Sequence, residues 1–320
     1  MINELSDISQ EQPHKKFLDL EKIIASKNPF LLKILPGFLL RYVKRIVHVD
    51  ELNDFISTNE HLHGLDFVKA ILDEFRSVVV VEGYENLPVN DRFVIVANHP
   101  LGGLDGIALF SVIGKVRKDV IFPVNDLLLN IPNLRELFIP INKHGKNTEN
   151  IQLFEDTFAS DVALLYFPAG LCSRKQSGRI VDVEWKKTFV AKSRKHKRYV
   201  VPVHIDGRNS NFFYNLSVWR KRLGIKANIE MFYLVDEILK QRDKTLTFRI
   251  GKPISWEVFD KRHSDRDWAA LMKEKVYALG RGVPGPIEFN GGEEDFQTLS
   301  QHRTIYGEHT STREDHAKDH

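Results

Sequence analysis

Residues 94–110, VIVANHPLGGLDGIALF, place an imidazole and a carboxylate six positions apart across a glycine-rich turn. His99 is of the residue type that takes and returns a proton near neutral pH, because an imidazole ordinarily titrates at about 6.5. Asp105 can accept a hydrogen bond from the second ring nitrogen, which fixes the tautomer and stabilises the imidazolium as it forms. The same two residues also read as a core histidine next to an aspartate that caps a helix.

Other chemistries lack their patterns. No G-x-S-x-G elbow surrounds Ser173 or Ser177, and His144-Gly145-Lys146-Asn147 lacks both the earlier Gly and the Ser/Thr of a phosphate-binding loop. Cys172, the single cysteine, reads as a small buried residue and cannot close an internal disulfide. His61 and His63 have no cysteine or acidic set beside them, so no metal is expected.

The pair needs a strand ending at His99 and a helix beginning near Asp105. Residues 77–82 (SVVVVE) and 92–97 (RFVIVA) are short β-branched runs separated by the turn-like GYENLPVND, which reads as two strands. A helix is expected over 106–116, strands over 119–123 and 137–141, and between those strands a helix broken at Pro132. Further helices are expected over 147–160 and 185–195, with strands over 162–167 and 199–205. Runs at 231–235 and 245–250 complete the expected sheet, and a last amphipathic helix covers 268–279. This alternation indicates the α/β class, with a mixed, mostly parallel sheet covered by helices on both faces. Ligand-handling groups in such sheets gather at the carboxyl ends of strands, where His99 would stand.

Of the 320 residues, 42% are hydrophobic, and 46 Lys and Arg face 43 Asp and Glu for a net charge of +3. That balance excludes collagen-like, coiled-coil and disordered classes. The charge is uneven: residues 291–320 hold seven acids against three bases, so residues 1–290 carry +7. A basic body favours anionic partners. The expected organisation is a flexible N-terminus over 1–16, a helical segment over 17–76, an α/β domain over 77–289 and a disordered acidic tail over 290–320.

Within 17–76, a helix is expected over 65–76, preceded by an amphipathic helical hairpin broken at Asn28-Pro29. Between Lys22 and Val49 no acid occurs, while Lys22, Lys27, Lys33, Arg41, Lys44 and Arg45 alternate with large apolar residues. This suits a helix lying in an anionic bilayer interface, and equally a core-packing hairpin with a solvated basic face. Charges and Pro36-Gly37 interrupt the run too often for a spanning helix. The acid-free run Lys186, Lys187, Lys192, Arg194, Lys195, Lys197 and Arg198, with Arg220, Lys221 and Arg222 after it, suits an acidic carrier protein or an anionic bilayer. It also reads as a solvated helix face, and no nucleic-acid reading motif accompanies it. With one cysteine and no secretory signal, a cytosolic or cytosol-facing location is expected.

The turn NHPLGGLD resembles the NHxxxxD signature of the glycerolipid acyltransferase family, the lysophosphatidic-acid-acyltransferase-like group. ELFIPIN at 136–142, FPAGLCSR at 167–174 and VVPVHIDG at 200–207 resemble its second, third and fourth blocks, in order, and the likeness covers residues 78–253. It implies the glycerolipid acyltransferase fold, with His99 as general base and Asp105 as its orienter. It also implies substrate contacts from Asn98, Asn142, Lys143, Phe167, Pro168, Gly170, Ser173 and Arg174. Gly170 N–H, Ser173 and Arg174 would face the developing oxyanion, and Arg174 a phosphate or carboxylate.

Three departures stand out. Five residues, not four, separate His99 from Asp105; the phosphate-binding Arg of the second block is missing; and Ala169 replaces the usual Glu of the third, with one residue inserted before Ser173. These features resemble the hemolysin-like branch, which includes the N-acyltransferases of ornithine and glycine lipids. That likeness implies a (3-hydroxy)acyl thioester on acyl carrier protein as donor and the amine of a small amino acid as acceptor. It further implies no cofactor and a peripheral place on the cytoplasmic face of the inner membrane. O-acylation of a lysophospholipid is the alternative, and a non-catalytic lipid- or carrier-binding protein is a second.

Overall fold

The structure, a computed structural model, describes residues 17–27, 30, 33, 35–124, 128–140 and 148–281. The expectations for residues 1–16, for the Asn28-Pro29 break and for the tail over 290–320 lie outside the described residues.

Helices α1 (Leu20–Lys27), α2 (Gly37–Ile46), α3 (Val49–Thr58) and α4 (Gly64–Glu74) precede the sheet. Strands β1 (Val78–Glu82) and β2 (Phe93–Ala97) lead into α5 (Gly103–Ile113), then β3 (Val120–Val124), β4 (Phe138–Pro140), α6 (Thr148–Ala159) and β5 (Ala163–Tyr166). A small antiparallel pair, β6 (Arg174–Gln176) and β7 (Arg179–Val181), is followed by α7 (Thr188–His196), β8 (Tyr199–Ile205) and α8 (Asn211–Arg222). The described chain finishes with α9 (Leu234–Leu239), β9 (Thr245–Ile250) and α10 (Asp265–Gly280).

Seven strands make one sheet in the order β1-β9-β8-β2-β5-β3-β4, and every neighbouring pair is parallel except β8 and β9. A strand covered on both faces must be apolar at every position, which is why β2 reads FVIVA without a polar residue. Its side chains alternate: Phe93, Ile95 and Ala97 enter the core shared with α4 and α5, whereas Val94 and Val96 enter the one shared with α7 and α10. The expected α/β class, with a mixed, mostly parallel sheet and helices on both faces, is the observed architecture.

The run 231–235 is not a strand. Residues Ile229–Tyr233 form a 3₁₀ turn that continues into α9. The cause lies in two fully buried carboxylates, Glu230 and Glu237. Glu230 pairs with Arg220 at 2.8 Å and Arg174 at 3.3 Å, and Glu237 accepts from the Ser210 hydroxyl at 2.6 Å and Lys240 at 2.8 Å. Seven residues apart, they share one face of a helical turn but would point to opposite faces of a strand. Helices α3 and α8 and the β6–β7 pair had no counterpart in the sequence reading. Helix α2 has no fully buried residue; its Leu40, Val43 and Ile46 are half-buried, and Phe38 and Leu39 are exposed.

The basic run is mostly consumed within the molecule. Lys192, Lys195 and His196 surround Glu155 and hold its carboxyl at about 2, far below the usual carboxylate range, and Arg194 pairs with Asp265 at 2.8 Å. Arg198 is fully buried. It donates to the carbonyls of Thr157, Phe158 and Ser160, which are orphaned as α6 ends, and to those of Phe93 and Val162 on the strand side. Burial lowers its guanidinium to about 10, still charged at neutral pH. Arg198→Met keeps the apolar stem and orphans those carbonyls, and should cost on the order of 3 kcal/mol or more, read as a lower urea midpoint.

Candidate active site

β2 ends at Ala97, and Asn98 carries the pairing one residue further without adding a strand. Its side-chain amide donates to Ile205 O at 2.9 Å and accepts from Ile205 N–H at 2.7 Å. Asn98, expected among the substrate contacts, therefore bolts the ends of β2 and β8 together. His99 follows at the carboxyl end of the central strand.

His99 Nδ1 lies 2.9 Å from Asp105 Oδ2, with the aspartate side chain fully buried and the imidazole 16% exposed. The same oxygen accepts from Leu101 N–H at 2.9 Å and Gly102 N–H at 3.0 Å, in the first turn of α5. The two readings of Asp105 are thus both true: it caps the helix and holds the histidine. The additional residue between His99 and Asp105 is taken up at Gly102. Its φ is +83°, which strains any residue with a side chain, and a Cβ there would have to displace the tip of Leu234, 2.8 Å away. Burial pushes the Asp105 carboxyl above its usual range, opposed by His99 and the two backbone N–H groups. With Nδ1 occupied, Nε2 is the nitrogen left for a reacting group, on a ring stacked against Phe167 at 4.1 Å.

The third block surrounds His99 differently from the expectation. Phe167 supplies the stacking face, and Pro168 is buried, its carbonyl accepting from Lys186 N–H at 3.1 Å. Gly170 N–H donates to Phe167 O at 3.0 Å, and Ser173 Oγ donates to Asp182 at 2.6 Å. Arg174 is 2% exposed, donates to Cys172 O at 2.7 Å and pairs with Glu230. None of the three donors assigned to an oxyanion or an acceptor anion faces open space; each supports the loop instead. Burial raises the Cys172 thiol, so that residue is a poor nucleophile. Asn142 and Lys143 lie outside the described residues. Among the described residues no cluster of His, Cys, Asp or Glu could hold a metal ion.

Sequence reasoning passed over Asp182. Its fully buried carboxylate accepts from His99 N–H at 3.2 Å, the Ser173 hydroxyl at 2.6 Å and the Trp185 indole N–H at 2.9 Å. Ser173 N–H in turn donates to His99 O at 2.7 Å. The fourth block closes the ring, since a Cβ on Gly207 would fall 2.7 Å from Leu101. First, third and fourth blocks therefore meet at one carboxyl end of the sheet. The only signal for Asp182 in the sequence is a tryptophan three residues on, too common a spacing to single it out.

A family model described as "Acyltransferase" matches residues 22–284. The chain belongs to the glycerolipid acyltransferase family. It is 49% identical over 264 residues to a protein of Phocaeicola vulgatus named lyso-glycine lipid O-acyltransferase, covering 82% of this chain and 95% of that one. A protein of Bacteroides thetaiotaomicron bearing the same name is 48% identical over 264 residues, 82% of this chain and 97% of that one. The crystal structure of the 1-acyl-sn-glycerophosphate (LPA) acyltransferase PlsC from Thermotoga maritima aligns at 18% identity and a TM-score of 0.44, covering 81% and 96% of the two chains.

The protein is thus an enzyme that transfers acyl groups. An acyltransferase of this kind needs a base for its nucleophile and a rigid frame around that base. The peptide of His99 is gripped at both ends, by Asp182 through its N–H and by Ser173 through its carbonyl. All of Asp182's side-chain partners are donors, so Asp182→Asn must turn an NH₂ group against one of them. That change should cost about 2 kcal/mol of stability and lower turnover roughly tenfold, measured by urea denaturation and initial rates. Undiminished turnover in the folded variant would remove Asp182 from the support of His99.

Proposed function

We propose that this acyltransferase esterifies a free hydroxyl of a lyso-glycine-lipid-type acceptor with a fatty acyl group from a thioester donor, His99 serving as general base. The His99–Asp105 contact at 2.9 Å carries the base assignment. The acceptor assignment rests on the near-half identity to the two named relatives over 82% of the chain. The proposed nucleophile is accordingly an oxygen and not the amine anticipated from the sequence.

In this reading Nε2 takes the hydroxyl proton as the oxygen attacks the thioester carbonyl, while Asp105 steadies the imidazolium. The tetrahedral intermediate collapses, the C–S bond breaks, and the proton passes to the departing thiolate. No acyl-enzyme forms. The internal pairing of Arg174 argues against a phosphate-bearing acceptor, because the guanidinium anticipated for that phosphate is buried and engaged by Cys172 O and Glu230.

We assign the donor to acyl carrier protein. Lys186 and Lys187 support this: both are exposed, and the Lys186 ammonium would lie 3.4 Å from a Cβ on Gly170, beside the turn that follows Phe167. Acidic carrier surfaces are attracted to such groups, with the effect read mainly in association rate. A peripheral place on the cytoplasmic face of the inner membrane completes the proposal, supported by the exposed Phe38 and Leu39 beside Arg41 and Arg45 on α2; no described helix is long and apolar enough to span a bilayer.

The test offers purified protein an acyl-carrier thioester with lyso-glycine lipid, free glycine or lysophosphatidate in turn. The expected product is the O-acylated glycine lipid. His99→Ala should lower its formation about a thousandfold or more with the unfolding midpoint unchanged. Acylation of glycine nitrogen alone, or full turnover by the alanine variant, would overturn the reading.

A further inference from the structure

The outer side of α8 carries a row of large apolar residues among its polar ones. Phe213, Tyr214, Ser217 and Arg220 face inward. At helical spacing on the opposite side stand Phe212, Trp219 and Leu223, the last two 64% and 70% exposed. A solvated helix presents polar residues there, and this one presents two aromatic rings and a leucine. The face continues beyond α8. Phe212 packs on Tyr233 at 4.9 Å between ring centres, and Tyr233 hydroxyl meets Tyr42 hydroxyl on α2 at 2.7 Å. There Phe38 is 69% exposed.

The exposed charges on α8 and the loop after it are basic, and the nearest partly exposed acid, Asp236, is paired with Lys240 and His48. Between residues 207 and 235 every exposed charged side chain is basic (Arg208, Lys221, Arg222 and Lys226), and the acid in that span, Glu230, is buried against Arg174 and Arg220. On α2, Arg41 and Arg45 are exposed and no acid occurs. An apolar aromatic patch rimmed by cations complements an anionic bilayer, with rings at the acyl boundary and cations among the phosphates.

We propose that the outer face of α8 is a second bilayer-docking surface, which joins α2 through Tyr233 into one platform for anionic lipid. The proposal deepens the peripheral placement above and rests on it. The platform also touches the site: two residues after Phe232, which is exposed, Leu234 packs on Gly102 in the turn that holds His99. A lipid acceptor leaving the bilayer at this platform thus meets the segment that packs on the catalytic turn.

Co-sedimentation of the full chain with phosphatidylglycerol vesicles, and with phosphatidylcholine vesicles for comparison, tests it. The wild type is expected to bind the anionic vesicles preferentially. The double variant Trp219→Glu/Leu223→Glu should lose about tenfold or more of that partitioning, and Phe38→Glu should weaken it further. Trp219 on α8 and Leu223 at its C-terminal cap are both exposed, so the unfolding midpoint and turnover on water-soluble short-chain substrates should be kept. Partitioning within about twofold of wild type in the double variant would overturn the proposal. So would intact vesicle binding with a selective loss of turnover on acyl-carrier thioesters, which would assign the face to the carrier instead. Loss of short-chain turnover in the wild type would count against the acyl-transfer reading, and the vesicle result would be unaffected by it.

Discussion

Asp105 is a carboxylate sealed from water with no lysine or arginine among the described residues paired to it, and the site is organised around that constraint. A charge so placed costs several kcal/mol unless donors surround it. Here one oxygen receives three, from His99, Leu101 and Gly102. Those donors can converge only if the turn after β2 folds back on the first turn of α5. That in turn requires the left-handed backbone at Gly102 and the cover of Leu234. The histidine is thereby positioned by the same oxygen that starts the helix, so loss of either role disturbs both.

A second buried carboxylate, Asp182, does for the peptide of His99 what Asp105 does for its ring. It gathers donors from the first block, the third block and Trp185, and its backbone N–H donates to the Tyr277 hydroxyl of α10 at 2.8 Å. Burial beside Asp182 pushes that phenol well above its usual range, so it remains neutral. Motif residues that would be placed around a substrate by likeness alone, Asn98, Ser173 and Arg174, are instead fastened to the frame. Rigidity of this kind suits the proposed direct transfer, in which His99 would serve two reactants at once.

The inner strands β2 and β5 were legible because they are buried on both faces and read as uninterrupted apolar runs; β8 and the alternating β9 begin and end where the sequence places them. The four blocks in order pointed to the family, and the His99–Asp105 pairing survived its unusual spacing. The segment over 231–235 was misread because apolar content alone does not distinguish a strand from a helical turn, and the deciding residues are the glutamates at 230 and 237. The internal pairing of much of the basic run was not legible for a related reason. Charge in a sequence does not show its partner, and Glu155, Asp265 and the α6 carbonyls lie far away in the chain. Asp182 was hidden because its significance lies wholly in contacts made by folding.

The central claim is that Asp105 fixes the His99 ring with its proton on Nδ1 and its lone pair on Nε2. Ring-nitrogen NMR of the ¹⁵N-histidine-labelled protein at neutral to mildly alkaline pH reads this directly, with His99→Gln used for assignment. The account predicts a protonated Nδ1 and a bare Nε2 for His99, and loss of that single tautomer in Asp105→Asn. A His99 signal with the proton on Nε2, or one averaged between tautomers in the wild type, would contradict it.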